Sequence, residues 1–210
     1  MRRITVKGEL KSAQRMTFKG MVFYVFRHVY PPAEDTFLLA EHLEVGDRVL
    51  DVGTGCGILS VLSAVEAEDV VATDINPYAA ACARLNAEIN GVSERVEVLV
   101  GDLLSPLREE EIFDTILFNA PYLPTGQRSE RLSPIEYAWT GGEDGRMVID
   151  RFIQQAPRRL KPGGRILLVQ SSLSGVKRTL RELRMMGLRA EAVDEQPAFF
   201  ERIVLIEALS

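Results

Sequence analysis

RVLDVGTGCG, residues 48–57, joins a short apolar run to a loop in which every second residue is a glycine. The apolar run predicts a buried strand at 48–52, and the apolar segment 58–64 predicts a helix. Glycines between a strand and a helix allow a tight turn and a close approach of backbone to a ligand. This segment therefore predicts the opening unit of an α/β domain with a ligand beyond the strand's carboxyl end.

The same alternation continues along the chain. We predict further strands at 70–73, 96–100, 115–118 and 165–170, and helices at 33–43, 147–160 and 176–186. Another helix is expected to open at Asn76-Pro77 and to close at Asn90-Gly91, residue pairs typical of helix ends. Two last strands, 188–193 and 203–208, are predicted to form a hairpin that supplies an antiparallel edge strand. The fold class is α/β, a doubly wound and mostly parallel sheet.

The totals fit a single soluble domain. Residues 31–210 are predicted to form it, and residues 1–30 an N-terminal extension with strands in RITVKGE and MVFYVF and a turn at Gly20. The net charge of -5 argues against a surface that tracks a nucleic-acid backbone. We see no membrane span and no signal peptide, and expect a cytoplasmic protein. Cys56 and Cys82 lie outside any zinc-ligand pattern, so no metal site is expected.

Acidic residues follow three successive predicted strands. Asp51 precedes the glycines, where an acid would repel a phosphate but suit an amino group. Asp74 stands about 20 residues on, where a carboxylate accepts the hydroxyls of a ribose. Asp102 can accept an adenine amino group while Leu103 packs on the ring. Together they indicate a ligand with an amino group, a ribose and an adenine but no phosphate.

DVGTGCG at 51–57, TDIN at 73–76 and GDLL at 101–104 resemble the cofactor motifs of class I S-adenosylmethionine-dependent methyltransferases. The resemblance implies S-adenosylmethionine as the cofactor. It also implies a seven-stranded sheet whose last strands are antiparallel.

The segment NAPY, residues 119–122, follows the fourth predicted strand. The Asn119 side-chain oxygen and the Ala120 carbonyl can each accept one N–H of a planar NH2 group. Pro121 restricts Ala120 to an extended conformation, which sets the direction of that carbonyl. Tyr122 offers a flat face against an amide or base plane. Such a clamp would align a poorly nucleophilic nitrogen with an activated methyl group.

NAPY is similar to the NPPY motif of methyltransferases that act on glutamine, adenine N6 or guanine N2. VYPPAEDTF at 29–37, AWTGGEDGR at 138–146 and FFER at 199–202 resemble segments of the HemK family of protein glutamine N5-methyltransferases. The resemblance implies methylation of the glutamine in the Gly-Gly-Gln loop of translation termination factors. It assigns substrate binding to Asn119, Ala120, Pro121 and Tyr122, and cofactor binding to Thr36, Asp51, Gly53, Thr54, Gly55, Gly57, Asp74, Ile75, Asp102, Leu103 and Asn119.

Two departures from the family pattern matter. The short opening lacks the N-terminal helical domain of bacterial members, so the chain resembles the shorter eukaryotic and archaeal branch. Members of that branch often work with a small zinc-binding activator protein, which the resemblance implies as a partner here. Ala120 stands where the motif has a proline; the clamp uses a backbone carbonyl at this position, so alanine can serve, but the loop is less rigid.

Several alternatives stay open. The clamp would also suit a nucleic-acid N-methyltransferase acting on a flipped adenine or guanine, and a cofactor fold can serve as a non-catalytic binding subunit. Glu34, Asp35 and Thr36 can simply cap a helix. The loop 127–131 is interpreted as solvated more readily than as a substrate contact. Solvated or packing roles are likewise favoured for His28, His42 and the basic set Lys177, Arg178, Arg181 and Arg184.

Overall fold

A computed structural model describes residues 6–110, 112–125, 133–198 and 200–210. Its strands are β1 (Gln14–Phe18), β2 (Met21–Val25), β3 (Arg48–Val52), β4 (Asp69–Asp74), β5 (Val96–Val100), β6 (Phe113–Asn119), β7 (Leu160–Ser171), β8 (Arg189–Ala198) and β9 (Glu201–Leu209). Its helices are α1 (Val6–Glu9), α2 (Glu34–Glu41), α3 (Ile58–Ser63), α4 (Pro77–Ile89), α5 (Met147–Gln155) and α6 (Val176–Met185). Among the described residues, no helix is long and apolar enough to cross a membrane.

Seven strands form the main sheet in the order β5-β4-β3-β6-β7-β9-β8. The chain runs outward from β3 through β4 to β5, returns to β6 beside β3, and then builds the other half. Both β4 and β6 pair in parallel with β3, whose last four residues are buried. The strand order therefore reverses between β3 and β6, the place where open α/β sheets bind ligands. The predicted α/β sheet is confirmed.

The terminal hairpin is confirmed, with one correction. Strand β9 is antiparallel to both β7 and β8. The reversed strand is thus second from the edge, and β8 at the edge runs in the same direction as β7. Of the two hairpin strands, β9 is the one that pairs with β7, because β9 carries the buried residues 203–206, whereas β8 is mostly exposed. Apolar content decides which hairpin strand pairs inward.

The N-terminal prediction is half right. MVFYVF supplies β2, and Lys19-Gly20 forms a tight turn with φ values of 46° and 79°. RITVKGE is not a strand in its described part, since residues 6–9 are α1. The two-residue turn, with both φ values positive, requires the residues just before it to pair with β2. Strand β1 at 14–18 meets that requirement and was not predicted from the sequence.

The β1–β2 hairpin is attached to α4 through asparagine side chains. Asn90 donates to the Val22 carbonyl and accepts from its N–H. Asn86, fully buried, does the same for Tyr24 and also donates to the Cys56 carbonyl of the glycine loop. Since a buried amide must satisfy its hydrogen bonds, Asn86 ties the hairpin, α4 and the loop after β3 into one unit.

Candidate active site

One cavity lies beyond the carboxyl ends of β3, β4, β5 and β6. It is lined by most of the residues that the sequence assigned to cofactor and substrate: Thr36, Gly53, Thr54, Gly55, Asp74, Ile75, Asp102, Leu103, Asn119 and Pro121. Four assigned residues do not line it, namely Asp51, Gly57, Ala120 and Tyr122. The fold thus brings residues from five separate segments to the lining of one cavity. The other four assigned residues lie beside lining residues in the sequence but do not line the cavity themselves.

The glycine loop, residues 53–57, has left-handed backbone at all three glycines, with φ values of 66°, 58° and 82°. A side chain on Gly57 would meet Ala83 of α4 at 2.8 Å, so this glycine permits the close contact between loop and helix. A side chain on Gly55 would meet nothing within 4 Å. Gly55 therefore leaves open space on the cavity side, where a ligand can approach the backbone.

Asp51 is buried and engaged by its own loop. Its Oδ2 accepts from the Thr54 hydroxyl at 2.7 Å and from the Ser60 hydroxyl at 2.5 Å. Burial raises the pKa of Asp51 to about 6, against the opposing effect of those two hydroxyls. This carboxyl is not among the cavity-lining residues, and its two hydroxyl partners hold the loop closed. The predicted contact of Asp51 with a ligand amino group stays a prediction.

Asp74 lies at the end of β4 and lines the cavity. Its two carboxyl oxygens accept the backbone N–H groups of Gly55 and Asn76 at 2.9 and 2.8 Å. Burial raises its pKa to about 6, and the two backbone hydrogen bonds oppose the rise. Each oxygen of a carboxylate accepts more than one hydrogen bond, so Asp74 is fixed in place and can still accept from a ligand.

The third acid follows β5. Asp102 lines the cavity and forms an ion pair with Arg151 of α5, a cavity residue that the sequence analysis did not single out. Leu103 is buried with a φ of 51°. This conformation is unusual for a non-glycine residue and is often found at ligand sites. It places the leucine side chain on the cavity wall beside the acid.

Asn119 carries the most informative polar group of the site. Its Nδ2 donates to the Thr36 hydroxyl at 3.2 Å. Its Oδ1 is buried and makes no hydrogen bond with any described residue. A buried acceptor without a partner is rare in folded proteins and calls for an explanation. Since Asn119 lines the cavity, a ligand N–H is the partner that would satisfy this oxygen.

The other residues of the NAPY segment, residues 119–122, are held by contacts with β7 and α2. The Ala120 N–H donates to the Val169 carbonyl of β7 at 3.2 Å. The Tyr122 ring is buried and is not among the cavity-lining residues, and its predicted contact with a substrate amide or base stays a prediction. Its hydroxyl donates to Asp35 Oδ2 at 3.2 Å. Tyr122 therefore joins this segment to α2.

Asp35 and Tyr30 are functional candidates that the sequence analysis did not assign. Asp35 is buried at the start of α2 and accepts from the hydroxyls of Tyr30, Thr36 and Tyr122. It also accepts the Thr36 N–H, a free donor of the first helical turn, so the helix-end role is present as well. Tyr30 lines the cavity. The available signal was the acidic pair directly before Thr36, but its partner Tyr122 is 87 residues away.

The segment AWTGGEDGR at 138–146 packs against the NAPY segment. Leu123 N–H donates to the Trp139 carbonyl, and Gly141 N–H donates to the Leu123 carbonyl. A side chain on Gly145 would meet the Tyr122 carbonyl at 2.3 Å. This close approach explains why the position requires glycine and gives the segment a role in shaping the site. The predicted loop 127–131 lies outside the described residues.

The remaining sequence candidates have other roles. The rings of His28 and Tyr78 are in tilted contact with centroids 5.0 Å apart, and His42 Nε2 lies 3.4 Å from Asp194 Oδ2. The described cavity lining contains no histidine, and the described residues contain no cluster of three or more metal-binding side chains. On α6, Lys177, Arg178, Arg181 and Arg184 are exposed, in agreement with a solvated face. Both cysteines are buried free thiols.

Comparison with known proteins identifies relatives of this chain. The family model of ribosomal protein L11 methyltransferase matches residues 36–120. A putative protein N5-glutamine methyltransferase of Methanocaldococcus jannaschii is 38% identical over 193 residues, which cover 90% of this chain and 96% of that protein. Methyltransferase HEMK2 of Homo sapiens is 34% identical, with 87% and 90% of the two chains covered.

A solved structure supports the same relationship. The E. cuniculi Mtq2-Trm112 complex, described as responsible for methylation of the eRF1 translation termination factor, contains a chain that is 27% identical to this one. The superposition has a TM-score of 0.69 and covers 87% of this chain and 99% of that chain. With two relatives above 30% identity along nearly their whole length, this chain belongs to the HemK family of protein N5-glutamine methyltransferases.

Proposed function

We propose that the chain transfers a methyl group from S-adenosylmethionine to the side-chain nitrogen of a glutamine in the Gly-Gly-Gln loop of a translation termination factor. The observation that carries this proposal is that Asn119 lines the cavity and has a buried Oδ1 with no hydrogen bond to any described residue. This oxygen is a hydrogen-bond acceptor that lacks an N–H donor, and a primary amide can supply one. The related proteins that act on release factors supply the identity of the substrate.

The cavity suits S-adenosylmethionine. Asp74 accepts the Gly55 N–H of the glycine loop and lines the cavity. The same carboxylate can accept ribose hydroxyls, and Asp102 with Leu103 can hold an adenine edge and face. Gly53, Thr54, Gly55 and Ile75 complete this wall, with Thr36 near the methionine end. Bound there, S-adenosylmethionine supplies an activated methyl group on a sulfonium.

The chain's own residues then orient the nitrogen. Asn119 Oδ1 accepts one N–H of the glutamine amide, and the Ala120 carbonyl accepts the other. Ala120 is held against β7 by its own N–H, and Pro121 restricts Ala120 to extended backbone, which limits the direction of its carbonyl. Two acceptor dipoles stabilise the positive charge that develops on nitrogen. Alignment of this kind contributes on the order of 7–11 kcal/mol in favourable cases.

A small activator subunit is part of the proposal, supported by the likeness to a chain solved in complex with a partner. Of the two sheet edges, β5 (VEVLV) has one charged residue and β8 (RAEAVDEQPA) has four. Val100 of β5 is 48% exposed. An apolar unpaired edge invites pairing with another chain, so β5 is the edge that a partner would cover. Because the proposed substrate acts in translation, a cytoplasmic location is also part of the proposal.

The test is labelled methyl transfer to a termination factor, with the product located by tandem mass spectrometry. We expect a single methyl group on the glutamine of the Gly-Gly-Gln loop, and none when that glutamine is replaced by glutamate. RNA and DNA are offered in parallel at equal concentration. Label on nucleic acid alone would overturn the proposal in favour of a base N-methyltransferase, and no label on any acceptor would favour a binding subunit.

A further inference from the structure

A primary amide such as Asn119 has two orientations of nearly the same shape. Rotation by 180° about the last side-chain bond exchanges the oxygen acceptor with the NH2 donor. Only the orientation with Oδ1 on the substrate side can accept a glutamine N–H. The reverse orientation would place two donors against each other and repel the substrate nitrogen. The site therefore needs a group that determines which end of the amide faces the substrate.

The Thr36 hydroxyl makes that choice in this structure. It accepts from Asn119 Nδ2 at 3.2 Å and donates to Asp35 Oδ1 at 3.2 Å. A hydroxyl has one hydrogen, and a carboxylate can only accept. Because the Thr36 hydrogen is committed to Asp35, its oxygen presents lone pairs to Asn119. Only the NH2 end of the amide is complementary to those lone pairs, so Oδ1 is the end of the amide that has no hydrogen bond with any described residue.

Asp35 is itself firmly held. Its Oδ2 accepts the Tyr122 hydroxyl at 3.2 Å and the Tyr30 hydroxyl at 3.4 Å, and its Oδ1 accepts the Thr36 N–H at 2.6 Å. Burial, reinforced by the charge of Asp35, raises the pKa of both tyrosines well above the usual range. The tyrosines therefore stay protonated and keep donating, so the carboxylate has a single defined position opposite Thr36.

We propose that Asp35 is a positioning residue that sets the polarity of the Asn119 amide through the Thr36 hydroxyl. Asp35 is 4% exposed and does not line the cavity, so it acts through Thr36 and does not touch the reactants. This inference rests on the proposed function, because it concerns the amide that would hold the substrate nitrogen. It assigns a purpose to a buried carboxylate that the methyl transfer itself does not use.

The test is a double-mutant cycle between Asp35 and Asn119, with kcat measured at saturating cofactor. Asp35→Asn keeps the shape but adds a donor, so the Thr36 hydrogen is no longer directed. We expect kcat to fall about tenfold in the wild-type background, the equivalent of one hydrogen bond to a charged group. In the Asn119→Ala background the same change should alter kcat less than twofold, because groups that act as a unit are not additive. An equal loss in both backgrounds would overturn the proposal.

A second pair of variants guards against a folding defect. Thr36→Val removes the hydroxyl at constant shape and should resemble Asp35→Asn in kcat, whereas Thr36→Ser should retain more activity than Thr36→Val. Thermal unfolding and cofactor calorimetry on each variant separate a positioning effect from lost stability or lost cofactor. Equal activity of Thr36→Val and Thr36→Ser, with both folded, would contradict the relay.

A readout without substrate separates this inference from the proposed function. In ¹⁵N-labelled protein, the Asn119 side-chain NH2 signals should shift and lose protection from solvent exchange in Thr36→Val and Asp35→Asn. Unchanged signals in both variants would overturn the relay even in an active enzyme. Absence of methyl transfer by the wild-type protein to any glutamine would instead overturn the proposed function and leave the NMR result to decide the relay.

Discussion

Two segments at the carboxyl ends of neighbouring parallel strands contribute to the same cavity, yet they are held in different ways. One is residues 51–57, the end of β3 with the glycine loop, and the other is the NAPY segment, residues 119–122. The partners of Asp51 are three and nine residues away in the same loop and helix. The partners of Asn119 and Tyr122 lie 83 and 87 residues away, on α2. The Asp51 carboxyl of the first motif finds its hydroxyl partners within nine residues, whereas the second motif depends on a distant helix.

The two segments also differ in what they leave open. The Asp51 carboxyl is satisfied by its own hydroxyl neighbours, so its contribution is the shape of the loop. The Asn119 oxygen is left without a partner, which costs on the order of 1–3 kcal/mol in the free protein. The difference is that the Asp51 carboxyl is satisfied within the protein, whereas the Asn119 oxygen is the acceptor to which the proposed function assigns the substrate nitrogen.

The largest expected effect comes from removing the unpaired side-chain oxygen of Asn119. Asn119→Ala should remove about 3 kcal/mol or more of transition-state stabilisation, a loss of at least a hundredfold in kcat, while cofactor affinity stays nearly intact. Steady-state kinetics and calorimetry measure the two quantities. Asn90→Ala makes the same chemical change at the end of α4, away from the cavity lining, and serves as the control. Unchanged turnover in Asn119→Ala would remove the clamp.

Substitutions in the glycine loop should lower the free energy of unfolding. Gly57→Ala brings a methyl group within 2.8 Å of Ala83 and also strains a φ of 82°, so we expect a loss of about 3 kcal/mol in the free energy of unfolding. Gly55→Ala is the matched control, because its φ of 58° is strained but nothing lies within 4 Å. It should lose about 1 kcal/mol. Urea titrations of the two variants compare them, and equal losses would mean that contact with α4 does not shape the loop.

The Asp51 carboxyl should give the free energy of unfolding a pH dependence opposite in sign to that of a carboxyl whose pKa is lowered by folding. The folded-state pKa of Asp51, about 6, lies above the ordinary value of 3.8, so between these values the folded state binds more protons than the unfolded state. The free energy of unfolding should therefore rise as pH falls from 7 toward 4, by about 2 kcal/mol from this group. Asp51→Asn should flatten that part of the profile measured by urea titration. An identical slope in both proteins would show that Asp51 is not held as a buried carboxyl.

Asp74 should give the smallest effect, and on affinity. Its pKa is about 6, and the charged form is the better acceptor for ribose hydroxyls. Cofactor affinity should be full above pH 7 and fall about tenfold as pH drops through 6, the loss of about one charged hydrogen bond. Calorimetry from pH 8 to pH 5 measures the change, and Asp74→Asn should show weak, nearly pH-independent affinity. A flat wild-type profile would contradict a direct contact between Asp74 and the cofactor.

The strands and helices of the main sheet were largely predictable, because they depend on short-range patterns. Residues 48–52 and 96–100 were predicted with the bounds that the structure shows. The Asn76 cap of α4 was predicted from two residues, and its side chain accepts the Tyr78 N–H at 3.0 Å. Strand β1 was missed, since QRMTF has no clear alternation and its pairing is imposed by the turn after it.

By itself, the sequence determined the α/β fold and the position of the glycine loop. These follow from periodicity, helix caps and turn chemistry, which act over a few residues. Only the tertiary structure decided that Asp51 turns inward, that Tyr122 lies behind the wall and that Asp35 reaches Asn119 through Thr36. The direction of a side chain depends on partners brought together by folding, and those partners are far apart along the chain.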